Sequence, residues 1–391
     1  MKSSIRNAQA TAIAAWIESD AGEAATAAVE FLSQTQDQAE TPQIFAAFVE
    51  QKEGPELLAK ALAGRQLAAS VAAAGIQQAE QSGRDLSALI AALNRAGSLN
   101  ANDQDWTPAR IASVLKEVQA SGDARRGEAV FRRAELNCFQ CHAIGGAGGA
   151  VGPDLSSLGG SARTADILQS LVNPSAKIKE GYQASQLFTD DGRIVTGIIQ
   201  QRTPNRVRLL DGNNQIVTFD LEEVDEIAAS PLSVMPSGLI KNLKDSEIAD
   251  LVAFLTALGT RDGFRVTEQD LARQWEVLAD SKAARDFLNR SGADADQALW
   301  NRQFSTVAGS LPVSDLPAIK ASNGRSYFVL RTSIPESPQG WRLADPAGVE
   351  VLSDKDGWVP FASSSRPVNE SLVLRIDRDV RSQPLTLEWA K

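Results

Sequence analysis

The chain is poor in the side chains that carry most protein chemistry: among 391 residues there are two cysteines, one histidine, two methionines and two tyrosines. A structural zinc site wants four N or S ligands, and these cysteines and histidine supply only three; a carboxylate as fourth ligand would be an uncommon set. No apolar run approaches the ~20 residues that cross a bilayer. A net charge of −10 argues against nucleic acid or an anionic membrane as partner. The excess acid is spread along the chain rather than gathered in a tail. At 43%, the hydrophobic content is enough for proper cores.

What the chain does have is concentrated. Cys138-Phe139-Gln140-Cys141-His142 uses both cysteines and the sole histidine. In a C-x-x-C-H run, two thiols can add to the two vinyl groups of one haem, and the next imidazole then lies under the iron as its proximal ligand. That leaves no histidine for a Ser/His/Asp or Cys/His catalytic set. Zinc and a redox disulfide are the alternatives. A thioredoxin-like C-x-x-C should follow a strand and open a helix, whereas here the motif ends a helical stretch and enters a glycine-rich loop. A plain disulfide would leave His142 unexplained.

A low-spin electron-transfer haem needs a second axial ligand, and Met235 is the only internal methionine. It lies in Ser233-Val234-Met235-Pro236-Ser237-Gly238, where proline and glycine favour a tight loop. Core filling is the ordinary use of a lone methionine; Lys241, Lys244 or an open site are the other options for the distal position. His/Met ligation would raise the reduction potential and close the iron, favouring electron transfer over catalysis. The surroundings suit a haem wrap. Asp123 caps an expected helix over Ala124 to Leu136, and a second amphipathic helix is expected over Asp245 to Leu258, with Gly127 allowing the two to cross closely. Between them Gly145 to Gly149 reads as a flexible stretch. Pro153 offers only a backbone carbonyl, a suitable acceptor for the far ring nitrogen of His142.

Gly127-x-x-x-Phe131, Cys138-x-x-Cys141-His142, Gly152-Pro153-Asp154-Leu155, Asn173-Pro174-Ser175, Tyr182, Asp191-Gly192, Gly197 and Ser233-x-Met235-Pro236-x-Gly238 follow one another in this order. Together they resemble the haem-binding domain of large planctomycete and verrucomicrobial c-type cytochromes. The resemblance spans Gly122 to Gly259, roughly a third of the chain. It implies a monohaem cytochrome c with a strand-rich insertion, often preceded by helical repeats. One covalent haem c would be attached by Cys138 and Cys141 and ligated by His142 and Met235, with Pro153 supporting His142.

The expected fold class is multidomain α+β. Residues 1–121 read as an alanine-rich, HEAT-like helical array of seven short helices. Residues 122–260 form the cytochrome c-like haem domain. Its antiparallel β insertion, about 185–229, reads as a meander of four strands that either shields a haem edge or is a decorative module. Residues 261–391 begin with a helical connector, Thr267 to Leu288, and continue as a β-sandwich or jelly roll. Five of the seven tryptophans, at 275, 300, 341, 358 and 389, fall here. They are either core or a platform for carbohydrate. Arg125, Arg126, Arg132, Arg133, Lys177, Lys179, Lys241 and Lys244 would lie near the haem, either steering an acidic redox partner or simply on solvated faces.

The function so implied is a periplasmic or extracytoplasmic electron-transfer protein, not itself an enzyme. It would relay single electrons between a dehydrogenase-type donor and a downstream acceptor, or form a subunit or fragment of a dehydrogenase system. The alternative is a scaffold or polysaccharide- and partner-binding protein in which the haem is a sensor. Ala8 to Trp16 makes only a weak apolar region for a signal sequence, with no convincing cleavage site. The chain therefore reads as a piece of a longer protein, whose upstream part would hold a dehydrogenase or an anchor.

Overall fold

A computed structural model describes residues 2–36, 41–99, 106–267, 270–290, 300–314, 316–333, 340–353, 357–362, 371–380 and 383–390. It is a mixed α+β architecture with several separate cores. Parts of the expected connector, at 268–269, and of the expected strand ending at Ile334 lie outside the described residues.

The first six helices are α1 (Lys2–Trp16), α2 (Ala21–Ser33), α3 (Pro42–Glu50), α4 (Gly54–Ala61), α5 (Ala69–Gln81) and α6 (Ser87–Ala96). They pack as three hairpins, with α1, α3 and α5 in one layer and α2, α4 and α6 in the other. Small residues permit this spacing: a Cβ on Gly75 would lie 2.7 Å from the Phe45 ring. Leu32, Ile44, Phe45, Phe48, Leu58 and Leu93 fill the space between the layers.

The seventh helix, α7 (Pro108–Ser121), starts where Thr107 accepts a hydrogen bond from the Arg110 N–H. It turns its apolar face away from the array, and Val114 joins the core of the next unit. That unit contains α8 (Ala124–Phe131), the four-residue α9 (Cys138–Cys141), a small hairpin of β1 (Ala143–Ile144) and β2 (Ala147–Gly148), then α10 (Leu158–Ser161) and α11 (Thr164–Val172). After an inserted sheet it closes with α12 (Asp245–Ala257). The helix expected to run on to Leu136 stops at Phe131, and a 3-10 turn over Ala134–Leu136 follows. Helices α8 and α12 cross at Gly127, where a Cβ would sit 1.9 Å from the Asp250 carbonyl oxygen. The buried Asp250 carboxylate pins the crossing, accepting from the Asp123 N–H at 2.7 Å and from Arg126 Nε at 2.7 Å.

The inserted sheet has five strands, β3 (Ser185–Thr189), β4 (Ile194–Arg202), β5 (Arg206–Asp211), β6 (Ile216–Asp220) and β7 (Val224–Ala229), ordered β6-β5-β4-β3-β7 and antiparallel throughout. The fifth strand goes beyond the expected meander. A bulge in its pairing with β3 puts Val224 and Ile227, three residues apart, on the same face beneath the sheet. Leu187, Val207, Leu209 and Phe219 fill that face, while the opposed pair Ile198 and Leu210 turns toward Val151, Ala184 and Val234. The array docks on this sheet: the Gly83 carbonyl accepts from Gln186 Nε2 and from Ser230 Oγ.

The C-terminal region contains β8 (Gln274–Leu278), α13 (Lys282–Arg290), β9 (Trp300–Phe304), β10 (Ile319–Lys320), β11 (Ser326–Ser333), β12 (Gly340–Leu343), β13 (Val349–Ser353), β14 (Gly357–Pro360), β15 (Ser371–Asp377) and β16 (Leu387–Ala390). Its main sheet runs β14-β13-β15-β11-β8-β9, with β10 paired to β11. The expected helical connector is corrected over its first part, because Gln274–Leu278 is a strand inside the sheet, while its end is helical as α13. Trp275 and Val277 face one side of the sheet and Leu278 the other, an alternation that a helix could not bury. The β12–β16 ribbon covers the first face through Trp341, Leu343, Leu387 and Trp389. Helix α13 covers the second through Ala284, Phe287 and Leu288. Four of the five tryptophans are buried, which assigns Trp275, Trp300, Trp341 and Trp389 to the core; Trp358 is half-buried. Among the described residues no helix is long and apolar enough to cross a membrane.

Candidate functional site

The cysteine-histidine run folds as one tight helical turn. Asn137 enters it in the left-handed region at φ 51°, a conformation that asparagine tolerates better than most residues. The His142 N–H then closes the turn on the Cys138 carbonyl at 2.9 Å. The glycine-rich stretch read as flexible is packed against this turn instead. A Cβ on Gly148 would lie 2.1 Å from the His142 carbonyl oxygen, and one on Gly149 would lie 1.9 Å from that of Gln140. The Gly149 N–H reaches the Phe139 carbonyl and the Gly152 N–H that of Cys141, so the loop returns along the motif.

This return brings Pro153 to His142. Nδ1 of the imidazole lies 2.9 Å from the Pro153 carbonyl oxygen, which can only accept, so Nδ1 carries the proton and Nε2 is left as a bare lone pair. Gly152 makes the approach feasible, since a Cβ there would fall 2.5 Å from His142 Cε1. Burial holds the imidazole pKa below its ordinary value, outweighing the Pro153 carbonyl and the Asp154 charge, which act the other way. A neutral ring with an oriented, unprotonated Nε2 is the form that binds a metal.

Both cysteines are free thiols. Burial pushes Cys138 up to about 12 and Cys141 up to about 11. Redox-active C-x-x-C pairs have lowered values, and α9 follows a 3-10 turn rather than a strand, so a thioredoxin-like role finds no support in this geometry. Among the described residues no three His, Cys, Asp or Glu side chains gather as a metal cage.

Met235 lies in the loop between β7 and α12. Cys138 and Met235 both pack against the α8/α12 core. Cys141 and Val234, the neighbour of Met235, both belong to the cluster around Val151, Ile198 and Leu210. The methionine loop is held by hydroxyls: Ser233 Oγ accepts from the Met235 N–H at 3.1 Å, and Ser175 Oγ accepts from the Ser233 N–H at 3.1 Å. Gly238, at φ 77°, turns the chain out of the loop. Of the five residues singled out in the sequence, Pro153 is thus bonded to His142 beside Cys138 and Cys141, and Met235 shares the α8/α12 core with Cys138. No protein-family model matches this chain, and no curated protein is significantly similar to it.

The fit to a c-type haem rests on these features: two adjacent thiols, an imidazole whose far nitrogen is already bonded, and a thioether on a braced loop. Several of the basic residues expected near the haem are engaged elsewhere. Arg126 pairs with Asp250, Arg133 with Glu247 at 2.6 Å, and Lys241 approaches Glu80 at 3.8 Å. Three further contacts to the motif and its returning loop had no sequence signal, because their partners are remote in the chain. Gln140 Nε2 donates to the Asn213 carbonyl at 3.0 Å, the Ala150 N–H donates to Asn214 Oδ1 at 2.8 Å, and Phe304 stacks on Phe139.

Proposed function

We propose that this chain is an extracytoplasmic monohaem c-type cytochrome that relays single electrons between a dehydrogenase-type donor and a downstream acceptor. The observation that carries the reading is the His142 Nδ1 bond to the Pro153 carbonyl beside two free, adjacent cysteines. When bound, a haem c supplies a one-electron Fe(III)/Fe(II) couple. Cys138 and Cys141 would hold it, His142 and Met235 would ligate it, and Pro153 fixes the imidazole plane. Gly152 gives that plane room, and Ser233 and Ser175 brace the thioether loop. In this reading the α1–α6 layers are a HEAT-like array, α7–α12 a cytochrome c-like domain, and the C-terminal sheet with its ribbon a β-sandwich. The shared placement of Gly127, Gly152, Ser175, Gly197 and Gly238 at close contacts or turns agrees with the resemblance to the planctomycete and verrucomicrobial haem-binding domains.

The test is the absorption spectrum of protein matured with a periplasmic haem-attachment system, oxidised and reduced, repeated for Met235→Ala. A thioether-to-iron band at the red edge that vanishes in the variant is the expected result. Its absence in the parent, or ready carbon monoxide binding, would sink electron relay. The sensor or scaffold reading would then take its place. That alternative draws on a cleft of about 290 Å³ in the C-terminal domain, lined by Asn289, Ser322, Asn323, Trp358 and Arg375, whose polar rim suits a polysaccharide.

A further inference from the structure

One short segment of the C-terminal domain reaches the attachment turn. Phe304, the last residue of β9, lies flat on Phe139, with ring centroids 4.2 Å apart and planes 14° apart. Phe139 stands between the two cysteines. Val307 is buried in the α8/α12 core, its N–H donating to Glu128 Oε1 at 2.6 Å and its carbonyl accepting from Arg273 Nη1 at 2.8 Å. Arg273 in turn lies against Gly145, just past His142, where a Cβ would meet its side chain at 3.1 Å. The other side of the segment is rooted in the C-terminal domain. Ser305 Oγ donates to the Ala272 carbonyl at 2.8 Å and accepts from Trp275 Nε1 at 3.0 Å.

A single four-residue turn has too few internal hydrogen bonds to hold itself. We propose that Phe304 and Val307 are positioning residues, a clamp by which the C-terminal domain holds the Cys138–His142 turn in place for haem attachment and ligation. The role in haem binding rests on the cytochrome reading above; the clamp on the turn does not. With the clamp opened, water reaches the motif, the more highly charged ferric state is favoured, and the reduction potential falls.

Two measurements test this, on the full chain. In the haem-free protein, hydrogen exchange at the His142 and Gly149 amides, which bond to the Cys138 and Phe139 carbonyls, should quicken about fivefold or more in Phe304→Ala. Phe304→Tyr should stay near the parent. Val373→Ala, on β15 and separated from β9 by β11 and β8 in the main sheet, should leave these amides unchanged. Phe304→Leu keeps apolar volume without the ring stack and serves if the alanine variant does not fold. In the haem-loaded protein the same variants should lower the midpoint potential and weaken the thioether band, again with rescue by tyrosine. Unchanged exchange in a folded Phe304 variant overturns the clamp, and an unchanged potential despite faster exchange overturns its role in ligation. A parent chain that takes up no haem overturns the cytochrome reading, while the exchange comparison still decides whether Phe304 holds the turn.

Discussion

At the scale of the residue, much of the site turns on atoms that are missing. Gly127 has no side chain because the Asp250 carbonyl occupies its place at 1.9 Å. Gly127→Ala must therefore push α8 and α12 apart, and we expect a loss of about 1–3 kcal/mol or more in urea unfolding. His142 gives a pH signature in the haem-free chain. Its folded pKa lies below the ordinary 6.5 because burial disfavours the charged ring. As the pH falls below that value the unfolded chain protonates first, so stability present above it is lost through the window down to the folded-state pKa. Glu50, Glu80 and Glu128 are raised by burial and act with the opposite sign, so the comparison needs a variant. Between about pH 7.5 and about pH 5 the parent should lose more stability than His142→Asn, read by denaturant midpoints. The bond from His142 to Pro153 was legible in the sequence, because a proline has only a carbonyl to offer. The packing roles of Gly148 and Gly149 were not, because a glycine run looks the same whether it is loose or pressed against a backbone.

At the scale of the element, periodicity served well where one face is buried and the other is wet. Seven helices stand in the N-terminal region and four strands in the meander as apolar spacing predicts, though α1 begins at Lys2, well before the spacing that marks Ala10 to Ile17. It failed at β7 and β8, for different reasons. In β7 a bulge opposite Phe188 and Thr189 brings Val224 and Ile227, three apart, to one face, so no period of two shows; in β8 Trp275 and Val277 face one side and Leu278 the other, a short run whose Trp275 and Leu278 also suit helical spacing. Trp275, the second residue of β8, is 1% exposed and hydrogen-bonded through Nε1 to the Ala272 carbonyl and Ser305 Oγ. Trp275→Ala should cost about 3–5 kcal/mol of the C-terminal domain's stability, measured by tryptophan-independent far-UV unfolding.

At the scale of the whole molecule, contacts between residues far apart in sequence join the units. Ser230, 1% exposed, links the inserted sheet to the array by donating to the Gly83 carbonyl at 3.0 Å, while its oxygen accepts from the Leu232 N–H. Ser230→Ala should destabilise the chain by about 1–2 kcal/mol in chemical denaturation, because the Gly83 carbonyl loses a buried donor and the part-buried Leu232 N–H its acceptor. The aromatic stack of Phe304 on Phe139 does the same between the C-terminal domain and the cysteine-histidine turn. A linear reading of the chain yields the local alphabet: where the cysteine-histidine run lies, where helices start, where strands alternate, and where glycine or proline turns the chain. These depend on neighbours a few positions apart, and a linear reading contains them. Only the tertiary structure decided that α7 belongs to the core of α8 and α12, that Met235 and Cys138 pack on one core, and that Phe304 and Val307 enter the neighbourhood of the motif. Those pairings depend on how whole apolar faces fit together in space, and no spacing along the chain encodes which distant face will be the partner.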